Sequence, residues 1–301
     1  MERKLIKQGG GGYTVYLPKE WVIDNGLEKG DIIDIDIIGQ NLRISQKPEK
    51  RKKSEICLEI SGEYKDSIRV LVITAYRQGY DIIKVKISSK KQYNILKELI
   101  EDSIIGFEIT SYNEGLCIIE NITEPSQEQF DNIFRKLLLN IEELFEFGLM
   151  KMKNPSRKIK DFKITEKRIM QYDNFCRRIL YKYRFDRKSS SLLSFMYKLG
   201  NIQREIFYAN DVSKSYKFFS NATIKFMEDA FSLFKLLEEM ILKKDMHKYK
   251  EIHDVQNELI HKRLKKLLNS SQIKEKEVIF NIAGCVRNIS YSVSYALSYI
   301  I

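Results

Sequence analysis

Past residue 126 the apolar positions of the chain recur with helical spacing. Phe130, Ile133, Phe134, Leu137, Leu138, Ile141, Leu144, Phe145 and Leu149 follow an i, i+3, i+4, i+7 stripe. Ile279, Ile282, Val286, Ile289, Val293 and Leu297 repeat it near the end. No proline follows Pro155, and only Gly200 and Gly284 follow Gly148, so little interrupts the pattern. The spacing predicts six helices, over 127–151, 164–184, 189–211, 218–243, 246–268 and 272–299. Short connections between them imply antiparallel bundles.

Before residue 48 the period changes. The run Asp31-Ile-Ile-Asp-Ile-Asp-Ile-Ile38 is β-branched, and glycines 9–12 separate Lys4–Lys7 from Tyr13–Leu17. Such runs bounded by glycine favour strands. Pro18 suits the first turn of a short helix carrying Trp21 and Val22, and Asn25-Gly26 ends it. A third strand runs to Ile38 and a fourth covers Leu42–Ser45. Four short strands bury little surface alone, so this module is expected to pair with a second copy.

Residues 48–56 read as a charged linker. Beyond it, strands at Cys57–Ile60 and Asp81–Ser88 alternate with helices at Lys65–Gln78 and Lys90–Ile104. Phe107–Tyr112 and Gly115–Asn121 then close a hairpin over Asn113-Glu114, completing a small α/β domain. The expected chain is an α+β multidomain protein divided as 1–47, 48–56, 57–125 and 126–301.

Composition adds a question about partners. Across 301 residues, 52 Lys+Arg against 41 Asp+Glu leave a net charge of +11, which suggests an anionic partner. The surplus is uneven: residues 1–47 carry seven basic and seven acidic side chains, whereas 153–188 carry thirteen basic and four acidic. No apolar run reaches the ~18–20 residues of a membrane span, and the first eight residues lack the apolar core of a signal peptide. A cytoplasmic protein is expected. Cys57, Cys117, Cys176 and Cys285 are too widely spaced for a CxxC or a small disulfide framework.

The segment Gly9-Gly-Gly-Gly-Tyr-Thr-Val-Tyr-Leu-Pro-Lys-Glu-Trp21, followed by Gly26-Leu-Glu-Lys-Gly-Asp31, resembles the AbrB/MazE/SpoVT swapped-hairpin module. Its Leu17-Pro18-Lys19-x-Trp21 variant, ahead of six helices, is similar to archaeal PhoU-like phosphate-uptake regulators. The resemblance implies an N-terminal half of an intertwined β-barrel, completed in a homodimer that often binds DNA. It also implies a C-terminal all-α PhoU-like domain of two three-helix bundles and a role in phosphate homeostasis. PhoU-like bundles carry an acidic Asp/Glu-x-x-x-Asp signature that binds metal, because carboxylates at i, i+4 share a helix face. Here Asp173 is followed by Arg177, and Gln203 and Phe207 stand at the second such place, so no metal site is carried over.

Other chemistry is sparse. Asp254, Glu258 and His261 share a helix face as a metal half-site would, but a solvated polar face with a local Glu258–His261 pair explains them as well. Glu142, Glu143 and Glu146 interleave with the apolar stripe and are expected to face water. All three histidines lie in one helical segment, there is no G-x-S-x-G, and the glycine run lacks the Gly-Lys-Ser/Thr ending of a phosphate loop. The expectation is a non-enzymatic protein without cofactor or metal.

Two readings follow. In the first, a dimeric transcription regulator contacts DNA through Arg3, Lys4, Lys7, Gln8 and Tyr13, on the first strand and its turn. In the second, the N-terminal module only clasps the dimer. The helical domain then docks on a membrane phosphate transporter or sensor through a basic surface that includes Arg157, Lys158, Lys160, Lys163, Arg177 and Arg178.

Overall fold

The computed structural model describes residues 2–38, 41–46, 53–113, 115–123, 129–156, 162–183, 187–270 and 275–301. It is α+β and about 66% helical, and it divides into two compact units, Met1–Ser54 and Glu55–Ile301. Residues 48–52 of the predicted 48–56 linker lie outside the described residues, as do Lys47, Pro125 and the tip residue Glu114, and the linker's last two residues, Glu55 and Ile56, are already strand.

In the first unit, β1 (Ile6–Lys7) pairs antiparallel with β2 (Tyr13–Thr14) across a 3-10 turn at Gly9–Gly11. Gly10 and Gly11 take φ of 83° and 99°, a conformation that costs glycine little and other residues more. Both strands are shorter than predicted. Lys4, Leu5 and Val15 to Leu17 are outside the ladder, because two residues on each side are all that this ribbon pairs. Helix α1 (Lys19–Asp24) is capped by Pro18 and closes with Leu27 N–H donating to the Val22 carbonyl at 3.0 Å. Strands β3 (Ile33–Ile38) and β4 (Asn41–Gln46) form a second antiparallel ribbon, and Gln46 Nε2 ties it to the Asn25 carbonyl at 2.7 Å. Among the described residues of this unit the strands make two separate ribbons and close no barrel.

The second unit starts with a four-stranded sheet of order β5-β6-β8-β7: β5 (Glu55–Glu59), β6 (Ile82–Lys86), β7 (Phe107–Asn113) and β8 (Leu116–Asn121). The β5–β6 pair is parallel and the other two pairs are antiparallel. Helices α2 (Lys65–Arg77) and α3 (Lys90–Ser103) supply Ile68, Val72, Leu96 and Leu99 to a core with Ile83, Val85 and Ile119 of the sheet. Alternation along β6 leaves every second residue outside that core.

Six helical stretches follow where periodicity placed them: α4 (Gln129–Lys153), α5 (Lys163–Tyr183), α6 (Arg187–Ser213), α7 (Asn221–Lys243), a composite fifth and α10 (Glu275–Ile300). The fifth is α8 (Lys248–Asn257), a π-helical segment (Glu258–Arg263) and α9 (Leu264–Ser270). The six stretches share one continuous apolar core, with α10 packed along α6. The α/β part also belongs to this unit, since α5 packs on α2 and α3.

Candidate functional site

The first candidate surface lies in the N-terminal unit. Lys7 faces Tyr13 across the β1–β2 register, and the Gln8 N–H donates to the Gly12 carbonyl at 2.8 Å, so Lys7, Gln8 and Tyr13 cluster around the glycine turn. Arg3 and Lys4 precede the ribbon, and all five side chains are exposed. The acids Asp34 and Asp36 belong to the other ribbon, where Arg43 of β4 stands opposite Asp36 in the register.

The second surface needs correction. Arg157, Lys158 and Lys160 lie outside the described residues, and Lys163 is exposed at the start of α5. Arg177 and Arg178 are 3% and 0% exposed, so they belong to no docking surface. Helix α5 is covered on one side by α4 and α6 and on another by α2 and α3, and it therefore keeps its arginines inside. Arg178 Nη1 donates to the carbonyls of Tyr76 at 2.9 Å and Tyr80 at 2.8 Å, and its Nη2 reaches Asp81 at 3.0 Å. Lys182, also buried, binds the same Asp81 oxygen.

A third site was not foreseen. A cavity of about 520 Å³ opens between α2, α4, α5 and α6. Its polar wall is built around Asp173 of α5, which accepts from Arg177 Nε at 2.9 and 2.8 Å and from Arg77 Nη2 of α2 at 3.0 Å. Arg77 Nε also donates to Asn174 Oδ1 at 2.8 Å, and Asn174 Nδ2 donates to the Ser103 carbonyl at 2.7 Å. The wall thus fixes α2, α3 and α5 together. Burial outweighs the attraction of Asp173 and pulls the Arg77 pKa down. Glu166, also on the lining, has its carboxyl pushed up by burial, against the pull of Arg69 and Lys163.

Both stretches that lack the acidic signature meet on this cavity: Asp173 and Arg177 from one, Gln203 and Phe207 from the other. Sequence reading missed Arg69, Arg77 and Arg204, whose only advance signal is that Arg69 and Arg77 stand two turns apart on one helix. In the fifth stretch, Glu258 pairs with Arg263 Nε at 3.0 Å instead of with His261. Glu142 does not simply face water: it hydrogen-bonds Glu238 of α7, whose carboxyl burial pushes up to about 8.

Among the described residues, no cluster of three or more His, Cys, Asp or Glu is arranged to hold a metal ion. Nor is any described helix long and apolar enough to cross a membrane. No family model, curated protein or solved structure matches this chain.

Proposed function

We propose that the chain is a homodimeric, non-catalytic regulator of phosphate uptake that binds DNA through the β1–β2 ribbon. The observation that carries this reading is the unfinished packing of the N-terminal unit. None of its described side chains is buried, while Ile35, Ile37 and Leu42 are 58%, 81% and 65% exposed. Ile35 and Ile37 stand on one face of β3, and Ile37 is paired with Leu42 across the hairpin, so an apolar stripe faces outward. Two-stranded ribbons of this size are marginal alone, and a second copy laid on the stripe gives them a core. Dimerisation also doubles the cluster of Arg3, Lys4, Lys7, Gln8 and Tyr13, the minimum for reading two half-sites. The phosphate assignment rests on the sequence resemblance. The docking alternative keeps Lys163 but loses Arg177 and Arg178 to the interior.

Light scattering on the full chain tests the dimer, with twice 35.6 kDa expected. The double variant Ile35→Asp, Ile37→Asp should give the monomer mass. A mobility-shift assay on the DNA upstream of its own gene tests the second step. If Arg3, Lys4 and Lys7 of both copies each neutralise a phosphate, affinity falls about 10³-fold between roughly 50 and 200 mM salt. A dimer that fails to retard this DNA at low salt leaves only the clasp role.

A further inference from the structure

We infer that the cavity between α2, α4, α5 and α6 binds the phosphoryl group of a small organic phosphate. Three observations, all within the C-terminal unit and independent of DNA binding, lead there. The first is shape. A volume of about 520 Å³ exceeds what a bare inorganic anion needs and falls in the ~300–1,000 Å³ range of small-molecule sites. Leu137, Ile141, Ile169 and Leu199 line it with apolar surface, while exposed Tyr197, Arg204 and Tyr208 stand at its mouth. A ligand with an organic body and one charged end matches that division.

The second is charge. Four arginines (Arg69, Arg77, Arg177 and Arg204) share the lining with three carboxylates. One carboxylate, Asp173, is already engaged by both Arg77 and Arg177. Arg69 directs its guanidinium to the Met170 thioether, a weak acceptor. Arg204 has no carboxylate within ion-pair distance among the described residues. Arg69 also attracts Glu166 across the lining, which leaves four arginines against three carboxylates, a surplus of one cation.

The third is a preorganised donor. Arg177 is 3% exposed, yet its Nη1 has no hydrogen-bond partner among the described residues. Its other nitrogens are fixed, Nε on Asp173 and Nη2 on the Met196 carbonyl at 2.7 Å. Its Cζ lies over the Tyr197 ring, 4.1 Å from the centroid. Gly200 leaves the space, since a Cβ there would stand 3.2 Å from Nη2. Buried donors are rarely left unpaired, and guanidinium forks match the oxygens of a phosphoryl group. A phosphomonoester is favoured over a carboxylate because it offers three acceptor oxygens and up to two charges to several arginines.

Calorimetric titration of the full chain with phenyl phosphate, inorganic phosphate and phenol tests this. One phenyl phosphate should bind per chain, about tenfold more tightly than inorganic phosphate, with no binding of phenol. Arg177→Met should weaken phenyl phosphate by about tenfold to a hundredfold. Arg204 is exposed, so Arg204→Met should weaken it several-fold while leaving the melting temperature of the free chain unchanged, whatever the folding of the Arg177 variant. The inference is overturned if neither phosphate binds below about 10 mM, if phenol binds as well as phenyl phosphate, or if Arg204→Met binds like the parent. A chain that binds phenyl phosphate but never DNA keeps the cavity and loses the regulator reading. The reverse result does the opposite.

Discussion

Replacing Arg178 by alanine should cost more stability than any other single truncation on α5. The side chain is fully buried and holds together three groups of the α/β part: the carbonyls of Tyr76 and Tyr80 and the carboxylate of Asp81. Truncation leaves Lys182 on Asp81 but strips the guanidinium from both carbonyls. An orphaned buried acceptor costs about 1–3 kcal/mol, and breaking a buried ion pair from one side costs about 3–5 kcal/mol. The cation also sits 4.8 Å from the Phe107 ring and 5.1 Å from the Tyr76 ring, contacts that alanine removes. A loss of about 4 kcal/mol is expected, a large share of the ~5–15 kcal/mol that holds a typical fold. Urea unfolding followed by far-UV circular dichroism, which the helical unit dominates, provides the measurement. Arg178→Met separates the causes: it restores volume without donors, so it should recover less than half of the loss. Were Arg178→Met within about 1 kcal/mol of the parent, packing rather than hydrogen bonding would join the two parts, and the reasoning would fail.

Gly148 of α4 faces α6 and α7, and a Cβ there would collide with Asn210 Oδ1 and come within 2.7 Å of Met227 Cε. Asn210 cannot easily yield, because its Nδ2 donates to the Leu144 carbonyl at 2.8 Å. Gly148→Ala should therefore destabilise by about 1–3 kcal/mol despite its better helix propensity, read as a lower urea midpoint. Glu238 carries the opposite expectation. Its carboxyl titrates at about 8 instead of 4.5, because burial and then the hydrogen bond to Glu142 disfavour the charge. The folded state holds its proton longer than the unfolded chain does, so its contribution is intact below the unfolded value and is lost as pH rises from about 4.5 to 8. Solvent reaches this half-buried pair, so Glu238→Gln should stabilise by only about 1–2 kcal/mol at pH 8. At pH 4 the two proteins should unfold together, and a gain that does not vary with pH refutes the protonated pair.

Helices were legible where burial is one-sided. In α4 the stripe Phe130, Phe134, Leu137, Leu138, Ile141, Leu144 and Phe145 is buried as its spacing predicts, and so are Ile279, Ile282, Val286 and Ile289 of α10. In α5 the rule fails because burial has two sides. Eight consecutive residues, Asp173 to Leu180, are buried, so polarity there no longer marks the solvent face. Whether an arginine in such a helix points outward depends on its partner, and Asp81 lies 97 positions from Arg178. The cavity was hidden for the same reason, since its arginines come from helices with no local signal linking them. Strands β1 and β2 were overdrawn because β-propensity registers strand preference, whereas a ladder needs a neighbour. No proline or glycine marks the π-helical segment at Glu258–Arg263, so an uninterrupted helix was the natural expectation.

The distribution of charge resolves differently from how the composition first suggests. Residues 57–125 carry a net −3, and 153–188 carry the largest surplus of the chain. These segments are partners within one unit. Lys167 pairs with Asp102 at 2.7 Å, Arg178 and Lys182 share Asp81, and Arg77 crosses in the other direction to Asp173. Three cations of α5, Lys167, Arg178 and Lys182, are thus paired with two acids of the α/β part, and they serve assembly before they serve any partner. Among the described residues, three cations short of acceptors share one cavity: Arg177 through its Nη1, Arg69 on a thioether and Arg204 at the mouth. A basic isoelectric point is therefore a poor guide to an anion-binding surface in this chain. The better guide is the short inventory of buried cations whose donors exceed their acceptors, because desolvation has already been met there by folding and an incoming anion need only supply the missing oxygen.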